Sequence, residues 1–146
     1  MKKPILLLLA AALSMSTSLT RAQEEHAYTE GPVLVVAFVR TQPGMFEEYL
    51  RYLDTTYKQV METSKKQGVI VDYAVYSARP RGPQDADVIL TVTYTNMAAF
   101  DGLQARADPI GKQVFGSLAK AASASADRSK LRQDLGSQLV RQLILK

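Results

Sequence analysis

The chain has no cysteine, no tryptophan and a single histidine, His26. Without cysteine there are no disulfides, thiol nucleophiles, cysteine-based zinc sites or lipid attachment through a cysteine. One histidine excludes a multi-histidine metal site within one chain. No Gly-rich phosphate loop, serine nucleophile elbow or histidine-containing metal motif occurs. Asparagine is represented by Asn96 alone. These absences leave no basis for a cofactor or a metal, and neither is expected. What remains is ordinary for a globular protein: 47% of the 146 residues are apolar. The length fits one domain.

A formal charge of +4, from 18 Lys and Arg against 14 Asp and Glu, first points to a nucleic-acid or membrane partner. The N-terminus removes that implication. Met1-Lys2-Lys3-Pro4 is followed by an apolar run from Ile5 to Leu13, then by Ser14-Met15-Ser16-Thr17-Ser18 and Thr20-Arg21-Ala22. A basic start, a short apolar core and small residues at the cleavage positions read as a secretory signal peptide, 1–22, cut after Ala22. The apolar run is too short for a bilayer span of roughly 20 residues, and the alternative is an uncleaved anchor. No twin arginine is present, which favours the general export route. Cleavage discards Lys2, Lys3 and Arg21, leaving 124 residues with 15 basic and 14 acidic side chains. The expected location is the bacterial periplasm or outside the cell. No nucleic-acid partner and no stable membrane anchor after cleavage are expected.

Residues 23–31 are polar, with Glu24, Glu25 and Glu30, and read as a flexible leader holding His26. The domain proper is expected over 32–146. Val33 to Arg40 is apolar at both parities, the pattern of a strand covered on both faces. Phe46, Leu50, Leu53, Tyr57, Val60 and Met61 form one apolar stripe of a helix over about 43–67, with Tyr49 and Tyr52 beside it. Glu47 and Glu48 in its first turn and Lys65 and Lys66 in its last suit the helix dipole. Gly68 supplies the stop. Val69–Ser77 and Asp87–Tyr94 read as two strands of an antiparallel hairpin. Asn96 is expected to cap a helix, with a kink or restart near Pro109. Ala119 to Ala126 is weakly helical, Asp127 to Leu135 is charged, and Gly136 closes that stretch. Leu139 to Leu145 is a last strand. The order is βαββαβ: an α+β, ferredoxin-like arrangement, a four-stranded antiparallel sheet with helices on one face.

Such a sheet leaves its other face bare, although the first strand is apolar on both sides. A homodimer packing sheet on sheet is the economical answer. On this element order, the Val33–Arg40 strand leading into Phe46-Glu47-Glu48-Tyr49-Leu50, and the hairpin, the chain resembles the dimeric α+β barrel superfamily. That superfamily includes cofactor-free monooxygenases of antibiotic biosynthesis, stress-responsive barrel proteins and NIPSNAP-type domains. An exported bacterial branch is the best match. The resemblance covers 33–146 and implies a ligand space between sheet and helices. Haem-using members place a histidine there, which this chain does not offer.

Seven tyrosines are the main chemical bias. An apolar body with a hydroxyl suits an aromatic or amphipathic ligand. Arg40, Tyr52, Tyr73, Tyr76 and Tyr94 are the candidate pocket residues, with Arg40 placed to meet an acidic group. The competing reading puts the tyrosines in the core and at a dimer seam. Lys112, Lys120, Arg128, Lys130 and Arg132, interleaved with Asp127 and Asp134, read as a solvated helical face. Arg79-Pro80-Arg81-Gly82-Pro83 reads as a solvated hairpin tip. Asp85 and Asp87 lack the further donors of a calcium loop. The expected function is a small exported domain, more a binder than an enzyme, with a cofactor-free oxidoreductase acting on a polyphenol or quinol as the alternative. No catalytic residue is assigned.

Overall fold

The computed structural model describes residues 26–146, so the expected signal segment 1–22 lies outside the described residues. The elements run β1 (Tyr28–Thr41), α1 (Phe46–Tyr52), a π-helical turn (Leu53–Tyr57), α2 (Lys58–Lys66), β2 (Asp72–Ser77), β3 (Val88–Tyr94), a 3-10 turn (Met97–Phe100), α3 (Leu103–Phe115), α4 (Leu118–Arg128) and β4 (Arg132–Leu145). The four strands form one antiparallel sheet in the order β2-β3-β1-β4. Each βαβ half therefore spans a strand belonging to the other half, which is the split arrangement of ferredoxin-like folds.

Strand parity decides where the core sits. Val33, Val39, Val88 and Leu90 point towards the helices and are buried. With Tyr49, Leu53 and Tyr57 from the helical segment, Val39, Val88 and Leu90 form one cluster. Val69, Ile70 and Ile110 form a second, against Val92 and Tyr94. The opposite parity carries three cross-strand rows: Tyr76–Ile89–Phe38, Ala74–Thr91–Val36–Gln138 and Asp72–Thr93–Leu34–Val140. No helix covers these rows among the described residues. The both-parity apolar pattern of β1 thus has one explained face and one bare face.

Several expectations are corrected. Tyr28 to Glu30, expected in the leader, are rungs of β1, pairing with Leu145, Ile144 and Leu143. Their partners lie at the far end of the chain, which local patterning does not reveal. The expected helix over 43–67 is interrupted by the π turn, and Tyr49, placed beside the stripe, is 1% exposed. Asn96 precedes the 3-10 turn and makes no side-chain cap bond, while α3 starts behind Gly102 in the left-handed region. Pro109 lies inside α3 without ending it. Ser117 is the true cap of α4, its hydroxyl accepting from the Lys120 N–H at 3.1 Å. Gly136, expected to close the charged stretch ahead of the last strand, sits within β4 at φ +101°, beside a register shift opposite Ala37–Val39. It is a bulge glycine. The charged stretch after Arg128 therefore becomes strand within a few residues.

Candidate ligand cavity between the helices

The helical layer does not close. A cavity of about 590 Å³ opens between the first helical segment and α3–α4, with Tyr52, Thr56, Phe115, Arg128 and Leu131 among its walls. A deeper compartment of about 270 Å³ shares Tyr52, Phe115 and Arg128 and adds Tyr57, Val60 and Met61. These volumes are in or near the range of small-molecule sites. The resemblance placed the ligand space between sheet and helices; these walls come from the helices and from the turn leading into β4.

The π turn builds one wall. At 3.6 residues per turn, Tyr52 and Tyr57 would point about 140° apart. An i→i+5 turn brings residues five apart towards one side, and both tyrosines line the deeper compartment. The Thr55 hydroxyl, donating to the Arg51 carbonyl at 2.8 Å, adds a competing bond at this point of the helix. Tyr57 also lines a shallower hollow of about 230 Å³ on the β2 side, with Leu53, Tyr73 and Val75. Its ring meets Tyr73 edge to face at 5.9 Å.

The opposite wall is the end of α4. The Arg128 guanidinium lies 5.7 Å from the Tyr52 ring centre. One terminal nitrogen donates to the Tyr52 hydroxyl at 3.2 Å and the other to Ser125 Oγ at 2.8 Å. Tyr52 in turn stacks on Tyr49 at 6.1 Å, and Arg132 lies over Tyr49 at 5.8 Å. Two buried polar atoms have no partner among the described residues: the Tyr57 hydroxyl and Arg128 Nε. Burial pushes the Tyr57 phenol far above its ordinary pKa, with the neighbouring tyrosines adding to the effect. The hydroxyl therefore keeps its proton.

Of the five expected pocket residues, only Tyr52 lines this cavity. Arg40 lies at the end of β1, where its Nη1 donates to the carbonyls of Gly82 (3.2 Å) and Asp85 (2.8 Å). It pins the hairpin tip. Tyr76 is on the bare face, 54% exposed. Tyr73 is on the helix side but donates to Glu62 Oε1 at 2.8 Å; burial and Glu62 push its pKa up to about 12. Tyr94 packs on Phe100 at 4.7 Å in the second core cluster, and burial raises its pKa against the opposing charge of Arg106. The grouping fails because strand parity and position along the sheet disperse these side chains. Sequence reasoning missed Tyr57, Phe115 and Arg128 as cavity residues. Arg128 was absorbed into a charged run whose helix ends at that residue.

Among the described residues, no group of three or more His, Cys, Asp or Glu is placed to hold a metal ion. No described helix is long and apolar enough to cross a membrane.

No family model matches the chain, and no curated protein does. Solved structures do match in fold. Protein SO0527 from Shewanella oneidensis is 15% identical, with 80% of this chain and 96% of that one covered at a TM-score of 0.52. A NIPSNAP family protein of unknown function from Agrobacterium tumefaciens is 13% identical, with 84% and 96% covered, also at 0.52. The fold is ferredoxin-like α+β. At such identities the likeness is one of fold alone and assigns no chemistry.

Proposed function

We propose that the protein is an exported, homodimeric domain that binds a small aromatic or amphipathic molecule. The observation that carries the binding is the cavity at Tyr52, Tyr57, Phe115 and Arg128: an apolar, aromatic recess with a few convergent polar groups. The bare sheet face supports the dimer. Its row Tyr76–Ile89–Phe38 is wholly apolar or aromatic, and Leu34, Val36 and Val140 extend it. A second copy offers an identical face, so a two-fold axis covers both at once. The N-terminal pattern of charge and hydropathy supports export.

The alternative, cofactor-free oxidation of a polyphenol or quinol, gains no support from the positions of Arg40 and Tyr73. Neither lines the cavity between the helices: Arg40 Nη1 is bound to the hairpin tip and the Tyr73 hydroxyl to Glu62.

Native mass spectrometry of the protein purified from its host envelope tests the reading. The expected spectrum shows a dimer of chains beginning at Gln23, with an extra mass lost on denaturation. A monomer would overturn the dimer, and a retained N-terminus would overturn cleavage. A dimer that takes up no aromatic probe would overturn the binding function.

A further inference from the structure

Resting on that binding reading, we infer that the ligand is an anion: a carboxylate or similar oxyanion on a flat apolar body, its head held by Arg128 and Tyr57. Arginine carries five N–H donors and no acceptor. In Arg128, the two terminal nitrogens donate to Tyr52 and Ser125, while Nε is buried and unanswered. Tyr57 lines the same deeper compartment, and its buried hydroxyl is equally unanswered. Buried polar groups are ordinarily paired, and each exception calls for an explanation, of which a bound group is one. Both orphans can donate. A head group with two acceptor oxygens matches them in number and kind.

Charge selects an anion over a neutral acceptor. No described carboxylate lies within ion-pair distance of Arg128. Asp127, the acidic residue at the cavity, is bound to Lys130 at 2.7 Å, so that pair is locally neutral. Arg51, Arg81, Arg132 and Arg141 each have a carboxylate partner. Arg128 is the cation left uncompensated at the cavity, and its packing over the Tyr52 ring fixes its direction. Tyr52, Phe115, Val60 and Met61 then receive the apolar body.

The test titrates the purified protein with 2-naphthoate and with its neutral counterpart, 2-naphthalenemethanol, by calorimetry. Wild-type protein is expected to bind the acid tenfold or more tightly than the alcohol, about the discrimination a charge-assisted hydrogen bond gives. Arg128→Gln should abolish that preference, bringing the ratio of acid to alcohol affinity to about one. Tyr57→Phe should narrow the preference for the acid by about threefold, because the lost donor serves a carboxylate more strongly than a neutral oxygen. Circular dichroism and a cooperative thermal melt certify that each variant is folded. Equal affinity for both probes, unchanged in Arg128→Gln, would overturn the anion assignment and leave the binding reading standing; water would then be the partner of the orphaned atoms. Binding of neither probe would remove both.

Discussion

Four tyrosines sit where burial opposes ionisation. Tyr49, Tyr57, Tyr73 and Tyr94 all have raised pKa values, and desolvation is the largest cause for each. A phenol whose folded-state pKa lies above its unfolded value of about 10 keeps its proton in the fold after the unfolded chain has lost it. Its contribution to stability is complete below pH 10 and declines as pH rises towards the folded value, about 12 for Tyr73. Thermal melts are therefore expected to hold their midpoint up to about pH 9.5 and to fall steeply above pH 10. Phenolate absorbance at the same pH values should show this group titrating only as the fold is lost. A midpoint flat to pH 11 would contradict the burial assigned to them. The chemistry of these residues was visible in the sequence only as an abundance of tyrosine. Which of them met a hydroxyl partner, a guanidinium or nothing depended on contacts between distant elements, such as Arg128 with Tyr52.

At the scale of elements, local pattern was a reliable guide wherever the period was long and uninterrupted. The helical character of residues 46–66, the Gly68 stop, the pairing of the second and third strands and the βαββαβ order were all legible, although the second strand starts at Asp72 and not at Val69. It failed where one residue changes the phase. The π turn at Leu53–Tyr57 and the bulge at Gly136 each break a local periodicity without altering composition. Both matter to the site, since the first aligns Tyr52 with Tyr57 and the second lies in the strand that follows Arg128. The bulge gives a direct test. Gly136 adopts φ +101°, where a Cβ is strained although nothing lies within 4 Å of its ideal position. Gly136→Ala should therefore destabilise by about 1–3 kcal/mol through backbone strain alone. Urea denaturation with an unchanged slope would show this; an unaltered midpoint would show that the strand tolerates a regular register. Site residues were less legible than elements because a cavity collects side chains from several elements, and only the fold says which of them meet.

For the whole molecule, the bare sheet face is the feature that most needs a partner. Exposed apolar area of this kind is usual at interfaces and hazardous elsewhere. Ile89 stands in the row between Tyr76 and Phe38, so in the proposed dimer a charge there would be buried in the interface. Ile89→Lys is expected to give a monomer by light scattering, with helical circular dichroism preserved because the helices pack on the other face. A dimer of unchanged affinity would place the interface elsewhere. The sheet also sets an order of events. Tyr28 pairs with Leu145, and the Lys146 N–H donates to the Ala27 carbonyl at 3.0 Å, so the earliest described residues are stitched to the last. β1 lies at the interior of the sheet and has no sheet neighbour close to it in sequence. A chain emerging N-terminus first from the ribosome leads with a strand that has no partner until β3 is made, and whose other edge is closed only by the final strand. Such long-range closure is slow, on the order of milliseconds to seconds, and the sheet is complete only once the tail of the chain has joined it.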